Sequence, residues 1–401
     1  MPRSTSRHAA AALLVAATVA TPSLVAAQVH AQAAPGASTA TWSLRPELRA
    51  ESEYDNNVFL LPDLKKGRLA AGAPAGTRYA DMVASADVIT TVSGSLDFTT
   101  PGIAGKRMRI APAVAYEYYA RNTARAAITY GFDVAQRTAR GGEVRLRAAM
   151  HPQTFFKNYL ADGVDRDLDG SITPDERLYA AAKQGETTFD ADYTFRLRKQ
   201  RAASPFGAAL RVGGGWYSRS YNAPFASREL TGPTANGLLR LSIASGTRLD
   251  FGYAFASLAA PRVREVSILD ETRFDRDFNG NGTMTDVQAR AFEMVDRSRR
   301  EQELNAALSS DLGRAEIQLE YAGRTRRFSS SEPYDIANNG RRDLRHEVGA
   351  TLRYDLGSAA AFRAAVRRGA QTLNRSGAAV TTGDVADYTR LRTSLGLELR
   401  F

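Results

Sequence analysis

Acidic and amide side chains alternate with other residues in two segments of the chain, a spacing that suits a hard divalent cation. In residues 165–176 the sequence DRDLDGSITPDE fits the pattern D-x-[DN]-x-[DN]-G-x5-E at every required position. Ca²⁺ takes about six to eight oxygen ligands, and Gly170 permits the tight turn between them. The sequence therefore predicts a calcium site with the ligands Asp165, Asp167, Asp169, Ser171, Thr173 and Glu176.

The second segment, residues 275–288, is a poorer match and has two registers. We favour the register that begins at Asp277, because its last four residues, TDVQ, then form a helix capping box. The other register begins at Asp275 and ends at Asp286. The favoured ligands are Asp277, Asn279, Asn281, Thr283, Thr285 and Gln288. A neutral twelfth ligand predicts weaker binding than in the first segment, and hydrated surface turns remain the alternative for both segments.

A short helix is predicted at the C-terminal end of each segment. In the first, the sequence TPDE reads as a capping box with Pro174 at the first helical position, which predicts a helix from Arg177 to Lys183. No amphipathic helix precedes the first segment, because the residues before it belong to the end of a strand, so it is an EF-hand-like loop rather than a complete helix-loop-helix unit. The second segment is also interpreted as an EF-hand-like loop.

No other motif predicts catalysis. His151 and His346 belong to no nucleophile or zinc motif, and we expect structural roles for them. The run Gly213–Gly215 continues as Trp-Tyr rather than as the Lys-Ser of a phosphate loop, so close packing or strand bending is expected there. The sequence therefore predicts no catalytic residue and no enzyme.

The elements that must position these loops are β-strands. Apolar and polar residues alternate through most of residues 41–401, as in the last segment, where Leu391, Thr393, Leu395, Leu397 and Leu399 face one way. Segments of about ten residues match strands that cross a bilayer, with the apolar row against lipid and the ionic row against a wet lumen. We predict about fourteen strands, with 12 or 16 as alternatives, centred near residues 50, 91, 114, 131, 148, 191, 212, 238, 252, 305, 319, 350, 366 and 395.

Connections between these segments alternate between short and long. The longest are predicted at residues 60–82, 160–186, 262–297, 329–342 and 375–386, all on one side of the barrel. Outer-membrane barrels have short periplasmic turns and long external loops. The predicted fold is an all-β transmembrane antiparallel barrel with short helices in two long extracellular loops.

Arginines are frequent on the predicted inward rows. They outnumber the nearby acids, which include Asp190, Asp192, Asp250, Glu316, Glu320 and Glu347. Two interpretations stay open: a network of ion pairs that braces the lumen, or a positive field that favours anionic solutes. The net charge of +10 is spread over many strands, which argues against nucleic acid as a partner. The inward arginines are Arg107, Arg109, Arg145, Arg147, Arg196, Arg198, Arg353, Arg363, Arg367, Arg390 and Arg392.

The first residues have the pattern of a secretory leader. Arg3 and Arg7 precede an apolar stretch that is too short to span a bilayer, and small-residue cleavage sites follow. We predict a signal peptide at residues 1–27, with cleavage there or as late as residue 33, and a flexible segment at 28–40. The chain has no cysteine, which excludes disulfides, thiolate metal sites and a lipid-bearing N-terminal cysteine.

With its leader, its opening segment YDNNVF at residues 54–59 and its closing segment SLGLELRF, the chain resembles the porin-like outer-membrane β-barrels of Gram-negative bacteria. The resemblance implies outer-membrane lipids as surroundings and small polar solutes as cargo. It also implies that the C-terminal Phe401 resembles the signal that the barrel-assembly machinery reads. The expected function is a porin-like channel with calcium-binding external loops. A non-conducting structural or interaction barrel is the alternative, and an outer-membrane hydrolase is a more distant one.

Overall fold

The computed structural model describes residues 42–70, 79–100, 106–138, 141–163, 177–198, 206–262, 295–331, 335, 338–375 and 387–401. The predicted leader, the segment 28–40 and both predicted calcium segments with all of their ligands lie outside the described residues.

Fourteen antiparallel strands form one closed barrel in the described part of the chain. Each strand pairs with its neighbours in sequence, and β1 pairs with β14 to close the ring. Every predicted strand centre falls within one of these strands, so the predicted fold class and strand count are confirmed. The strands are β1 Ser43–Asp55, β2 Asp87–Thr100, β3 Met108–Tyr119, β4 Ala127–Arg137, β5 Glu143–Gly163, β6 Arg177–Arg198, β7 Gly207–Tyr221, β8 Leu230–Ala244, β9 Thr247–Leu258, β10 Arg299–Leu312, β11 Ala315–Phe328, β12 Arg341–Asp355, β13 Ala360–Arg375 and β14 Tyr388–Arg400.

The outer surface of the barrel is apolar. Leu304 on β10 is 61% exposed and Leu395 on β14 is 58% exposed, and similar side chains cover the outward rows of the other strands. A continuous apolar surface of this kind is unstable in water but suits lipid. Aromatic side chains stand towards both rims of this surface, as in the girdles of membrane barrels. They include Tyr54, Tyr118, Tyr130 and Trp216 towards one rim, and Trp42, Phe195, Tyr354 and Phe401 towards the other.

The two ends of the barrel differ in the length of their connections. At the turn end the connections are short, and Gly246 and Gly313 provide positive φ angles for two of the tightest hairpins. At the loop end, residues 56–86, 259–298 and 329–340 form longer connections. The predicted alternation of short turns and long loops is therefore confirmed.

The helix predicted from Arg177 to Lys183 is wrong, because these residues begin β6. The sequence RLYAAAK favours a helix by intrinsic propensity, but its main chain pairs with the end of β5, where Phe155 is the partner of Lys183. The loop predicted at residues 160–186 is correspondingly shorter, since the two strands reach Gly163 and Arg177. Three register shifts bend this long hairpin.

The helices of the described residues are short and lie in loop-end connections. Helix α1 spans Asp63–Ala70, in a connection for which no helix was predicted, and single 3₁₀ turns span Thr123–Arg125 and Phe225–Arg228. No helix in the described ranges is both long and apolar enough to cross a membrane.

The glycine run in β7 allows close strand packing, as predicted, and this yields a test. A Cβ atom at Gly215 would lie 1.9 Å from the main-chain oxygen of Phe189, whereas a Cβ atom at Gly94 on β2 would have no contact closer than 4.0 Å. We expect Gly215→Ala to destabilise the barrel by about 1–3 kcal/mol in urea unfolding from lipid vesicles, because strand backbones must shift. Gly94→Ala is the matched control. Equal unfolding midpoints for the two variants would contradict the packing role.

Candidate functional site in the barrel lumen

The inward rows of the strands carry charged side chains that pair across the lumen wall. Arg109 Nε on β3 donates to Asp97 Oδ2 on β2 at 2.6 Å, and Arg109 Nη1 donates to Asp133 Oδ1 on β4 at 3.0 Å. Arg145 Nε on β5 donates to the other oxygen of Asp133 at 2.6 Å. One continuous line of ion pairs thus connects four neighbouring strands.

Elsewhere on the wall, ion pairs join alternate strands. Arg367 Nε on β13 donates to Glu320 Oε1 on β11 at 2.5 Å, and Arg392 Nη2 on β14 donates to Glu347 Oε1 on β12 at 2.6 Å. Partly solvent-exposed ion pairs of this kind each contribute about 0–1 kcal/mol to the free energy of unfolding, so they orient side chains more than they stabilise the fold. Several of the arginines predicted to face inward are therefore neutralised along the wall, which favours the ion-pair interpretation there.

The seam between β1 and β14 contains a buried ion pair. Asp55, at 0% exposure, accepts a hydrogen bond of 2.8 Å from Arg390 Nε. Its other oxygen accepts from the main-chain N–H of Asn57, also at 2.8 Å. A buried carboxylate needs such partners, because its desolvation is unfavourable. The seam therefore has a specific polar contact at the point where the first connection leaves β1.

This first connection folds into the mouth of the barrel at the loop end. We call its described residues, 56–70 and 79–86, the mouth loop. It brings apolar side chains into the barrel, where they pack against Ile89 on β2, Tyr119 on β3 and Phe155 on β5. Burial of such side chains is the main force that holds a segment in place. The packed side chains of the mouth loop are Val58, Phe59, Leu61, Leu69, Tyr79 and Met82.

Three polar anchors fix the mouth loop to the wall. Asn57 Nδ2 donates to the carbonyl oxygens of Leu61, at 2.8 Å, and of Thr389, at 3.0 Å, while Asn57 Oδ1 accepts from Leu61 N at 2.8 Å. Arg125 Nη1 donates to the carbonyl of Val58 at 2.9 Å.

The third anchor, Asn122, accepts from the main-chain N–H groups of Val83 and Ala84. Together the anchors satisfy main-chain groups that water cannot reach, so the mouth loop has a defined position.

Seven arginines line the mouth across from this loop. They come from strands β7, β10, β11 and β12, from the connection after β7 and from the residues just before β10. We call them the mouth arginines: Arg219, Arg228, Arg297, Arg299, Arg326, Arg341 and Arg345.

Acids only partly balance the mouth arginines. Arg299 Nε and Arg326 Nε lie 2.6 Å and 3.2 Å from the same oxygen of Glu301, so one carboxylate serves two cations. The guanidinium of Arg228 lies 3.4 Å from the ring centroid of Tyr159, a cation–π contact. Glu347 likewise pairs with two arginines, Arg345 at 2.8 Å and an arginine of β14. Among the described lining residues, basic side chains therefore outnumber acidic ones.

Between the mouth loop and the mouth arginines lies a cavity of about 240 Å³ that opens to solvent. Nine of its described lining residues are basic, and one, Asp343, is acidic. A second cavity further into the lumen shares Arg219 and Arg326 with the first, so these two arginines border both cavities. A barrel of this strand number lies between small barrels filled by side chains and porins of about 16 strands, which enclose a channel. The arrangement can attract and orient small anions.

Two other loop-end connections meet at Asp335. Its carboxylate accepts from Asp296 N at 3.0 Å and from Asn338 Nδ2 at 2.9 Å. Burial raises the pKa of Asp335, while these hydrogen bonds oppose the rise by favouring the ionised form. The contact joins the described ends of the connections that follow β9 and β11.

The predicted site residues fall into two groups. The predicted calcium ligands are outside the described residues, and no group of three or more His, Cys, Asp or Glu side chains elsewhere in the described ranges could hold a metal. The histidines are far apart: His151 lies on β5, and His346 on β12 faces outward, with Nδ1 2.7 Å from the hydroxyl of Tyr321.

The mouth arginines were absent from the predicted set. The two-residue alternation, continued to the loop ends of β7, β10, β11 and β12, could have found five of them.

No family model and no curated protein matches the chain. Solved structures similar to it include the outer membrane channel DcaP of Acinetobacter baumannii, with 11% identity over 90% of this chain and 97% of that chain and a TM-score of 0.40. OprD of Pseudomonas aeruginosa is 10% identical over 90% and 96% of the two chains, with a TM-score of 0.35. An anion-selective porin from Comamonas acidovorans is 10% identical over 90% and 100%, with a TM-score of 0.37. Such low TM-scores carry no conclusion about this chain.

The role of Asn57 can be tested through the accessibility of the mouth loop. Asn57→Ala removes three hydrogen bonds and leaves main-chain groups of Leu61 and Thr389 unpaired. We expect trypsin to cut at Lys65 and Lys66 about tenfold faster, because the loop opens more often. Asn236→Ala, in the lumen wall away from the loop, is the control. Equal cleavage rates for wild type and both variants would show that Asn57 does not hold the loop.

Proposed function

We propose that the barrel lies in the bacterial outer membrane and conducts small polar solutes, with a preference for anions. The observation that carries this proposal is the cavity at the loop end, whose described lining has nine basic residues and one acidic residue. Rings of Arg or Lys favour anions in pores, because they offset the loss of hydration on entry. The apolar outer surface, with its aromatic rims, supports a position in a bilayer.

A second candidate function is a barrel that does not conduct. The observation that favours it is the mouth loop, which occupies part of the loop-end opening with packed apolar side chains. In this case the external loops would serve a structural or interaction role. Electrical measurement separates the two candidates, because only the first passes a steady current.

The external segments 165–176 and 275–288 are proposed to bind Ca²⁺ and to order the loop end. The support is the complete match of the first segment to the twelve-residue loop pattern and the partial match of the second. Carboxylate, carbonyl and water oxygens are the ligands that Ca²⁺ prefers.

Ion selectivity tests the proposed channel. In planar bilayers with a KCl gradient, the wild-type barrel is expected to show steady current and a reversal potential that favours chloride. The double variant Arg228→Gln/Arg326→Gln should lower the chloride-to-potassium permeability ratio, because two positive charges leave the mouth. Glu301→Gln should raise it, since the carboxylate shared by Arg299 and Arg326 loses its charge.

The outward-facing arginine Arg368 provides the control, because Arg368→Gln removes one positive charge outside the lumen. Its permeability ratio should equal that of the wild type. Absence of current would favour the non-conducting barrel. Current with a ratio that no lumen variant alters would contradict anion selection at the mouth.

Calorimetry on the detergent-solubilised barrel tests calcium binding. We expect a dissociation constant on the order of 10⁻⁴ to 10⁻³ M, the range of extracellular calcium modules, and a loss of the stronger site in Asp165→Ala. Asp63→Ala, in helix α1, is a control that removes an acid outside both segments. Binding heat that Asp165→Ala leaves unchanged would contradict a site in the first segment.

A further inference from the structure

All the charged residues on the outer surface of β10 to β13 are arginines. Among the described residues, the outward rows of these four strands contain four arginines and no acid. The outward rows of β1 to β4, β7 to β9 and β14 contain no charged residue. Over these twelve strands, the outward rows therefore have one positive sector in an otherwise uncharged wall.

Three of these arginines form a row across adjacent strands. Arg300 on β10 is the register partner of Arg327 on β11, and Arg327 is the register partner of Arg342 on β12. Their chain neighbours Arg299 and Arg341 are buried on the lumen side with acid partners. Because successive side chains of a strand point to opposite faces, the three arginines of the row face outward. All three side chains of the row are exposed.

The row has no counter-charge among the described residues. No ion pair or hydrogen bond of Arg300, Arg327 or Arg342 to a described side chain is present, whereas the lumen arginines a residue away are paired. Like charges on directly opposed strand positions repel each other and destabilise a sheet. An anion bound from outside the barrel would offset the repulsion among these three side-by-side positions.

The height of the row indicates where that anion comes from. Leu304 lies four residues beyond Arg300 on β10, about 13 Å along the strand, and belongs to the apolar surface. Leu319 on β11 and Val348 on β12 continue this surface below the other two arginines. The row thus lies just above the hydrocarbon, at the depth of lipid headgroups.

We propose that Arg300, Arg327 and Arg342 form a binding site for the phosphate of an anionic lipid headgroup. Guanidinium groups bind phosphate through paired N–H donors, and three neighbouring forks can hold a headgroup with two phosphates. The acyl chains of the same lipid would then lie against Leu304, Leu319 and Val348. This site is separate from the lumen and does not depend on conduction.

The test compares lipid binding by the purified, folded barrel in a neutral detergent. Lipid A, which carries two phosphates, is the probe, and its binding is measured by native mass spectrometry. The triple variant Arg300→Gln/Arg327→Gln/Arg342→Gln is expected to bind lipid A at least about tenfold more weakly than wild type, since phosphate contacts are lost. Arg368→Gln, an outward arginine outside the row, should stay close to wild type.

Dephosphorylated lipid A and free pyrophosphate distinguish the possible sources of affinity. Weak binding of the dephosphorylated lipid, with no competition by pyrophosphate at similar concentration, supports a lipid headgroup site. Equal binding of both lipids, effective competition by pyrophosphate, or unchanged affinity in the triple variant would overturn the proposal. The heat-dependent gel migration of folded barrels verifies that each variant is folded. Bilayer current of the triple variant should match wild type, which separates this site from the proposed channel.

Discussion

The whole structure depends on one constraint, which is that main-chain N–H and C=O groups find no hydrogen-bonding partner in hydrocarbon. A sheet satisfies them only if it has no free edge, so the strands must close into a ring. Closure in turn makes every strand two-sided, with one row against lipid and one against the lumen. The exposed apolar side chains and the ionic interior are both consequences of this single requirement.

In this closed barrel, the buried apolar core lies at one end rather than in the middle. The largest buried apolar cluster of the described residues is at the loop end, where the mouth loop packs against Ile89, Tyr119 and Phe155. The middle of the lumen is instead lined by ion pairs between neighbouring strands, such as Arg240 with Asp250 on β8 and β9. The barrel is thus held by its ring of main-chain hydrogen bonds, while the cluster at one end determines the shape of the entrance.

Much of the fold could be predicted from the sequence, because lipid and lumen impose a period of two on every strand. Features that depend on contacts between distant residues could not. The helix predicted from Arg177 to Lys183 became part of β6, since pairing with β5 outweighed local propensity. Helix α1 and the inward fold of the mouth loop depend on Asn57, Asn122 and Arg125, whose partners are distant in sequence except for the local contacts of Asn57. The arginines at the mouth lie near the loop ends of strands. Alternation predicts which residues face inward, but it does not predict where each strand ends.

The ion pair between Asp55 and Arg390 joins residues that are 335 positions apart in sequence. Every other strand pair forms between consecutive segments, but this contact requires both ends of the barrel sequence to meet. Loop closure over such a separation is entropically unfavourable and slow. Until β14 arrives, β1 presents an unpaired edge that can join another chain. The last strand therefore decides whether the preceding thirteen form a sealed ring or remain open to aggregation.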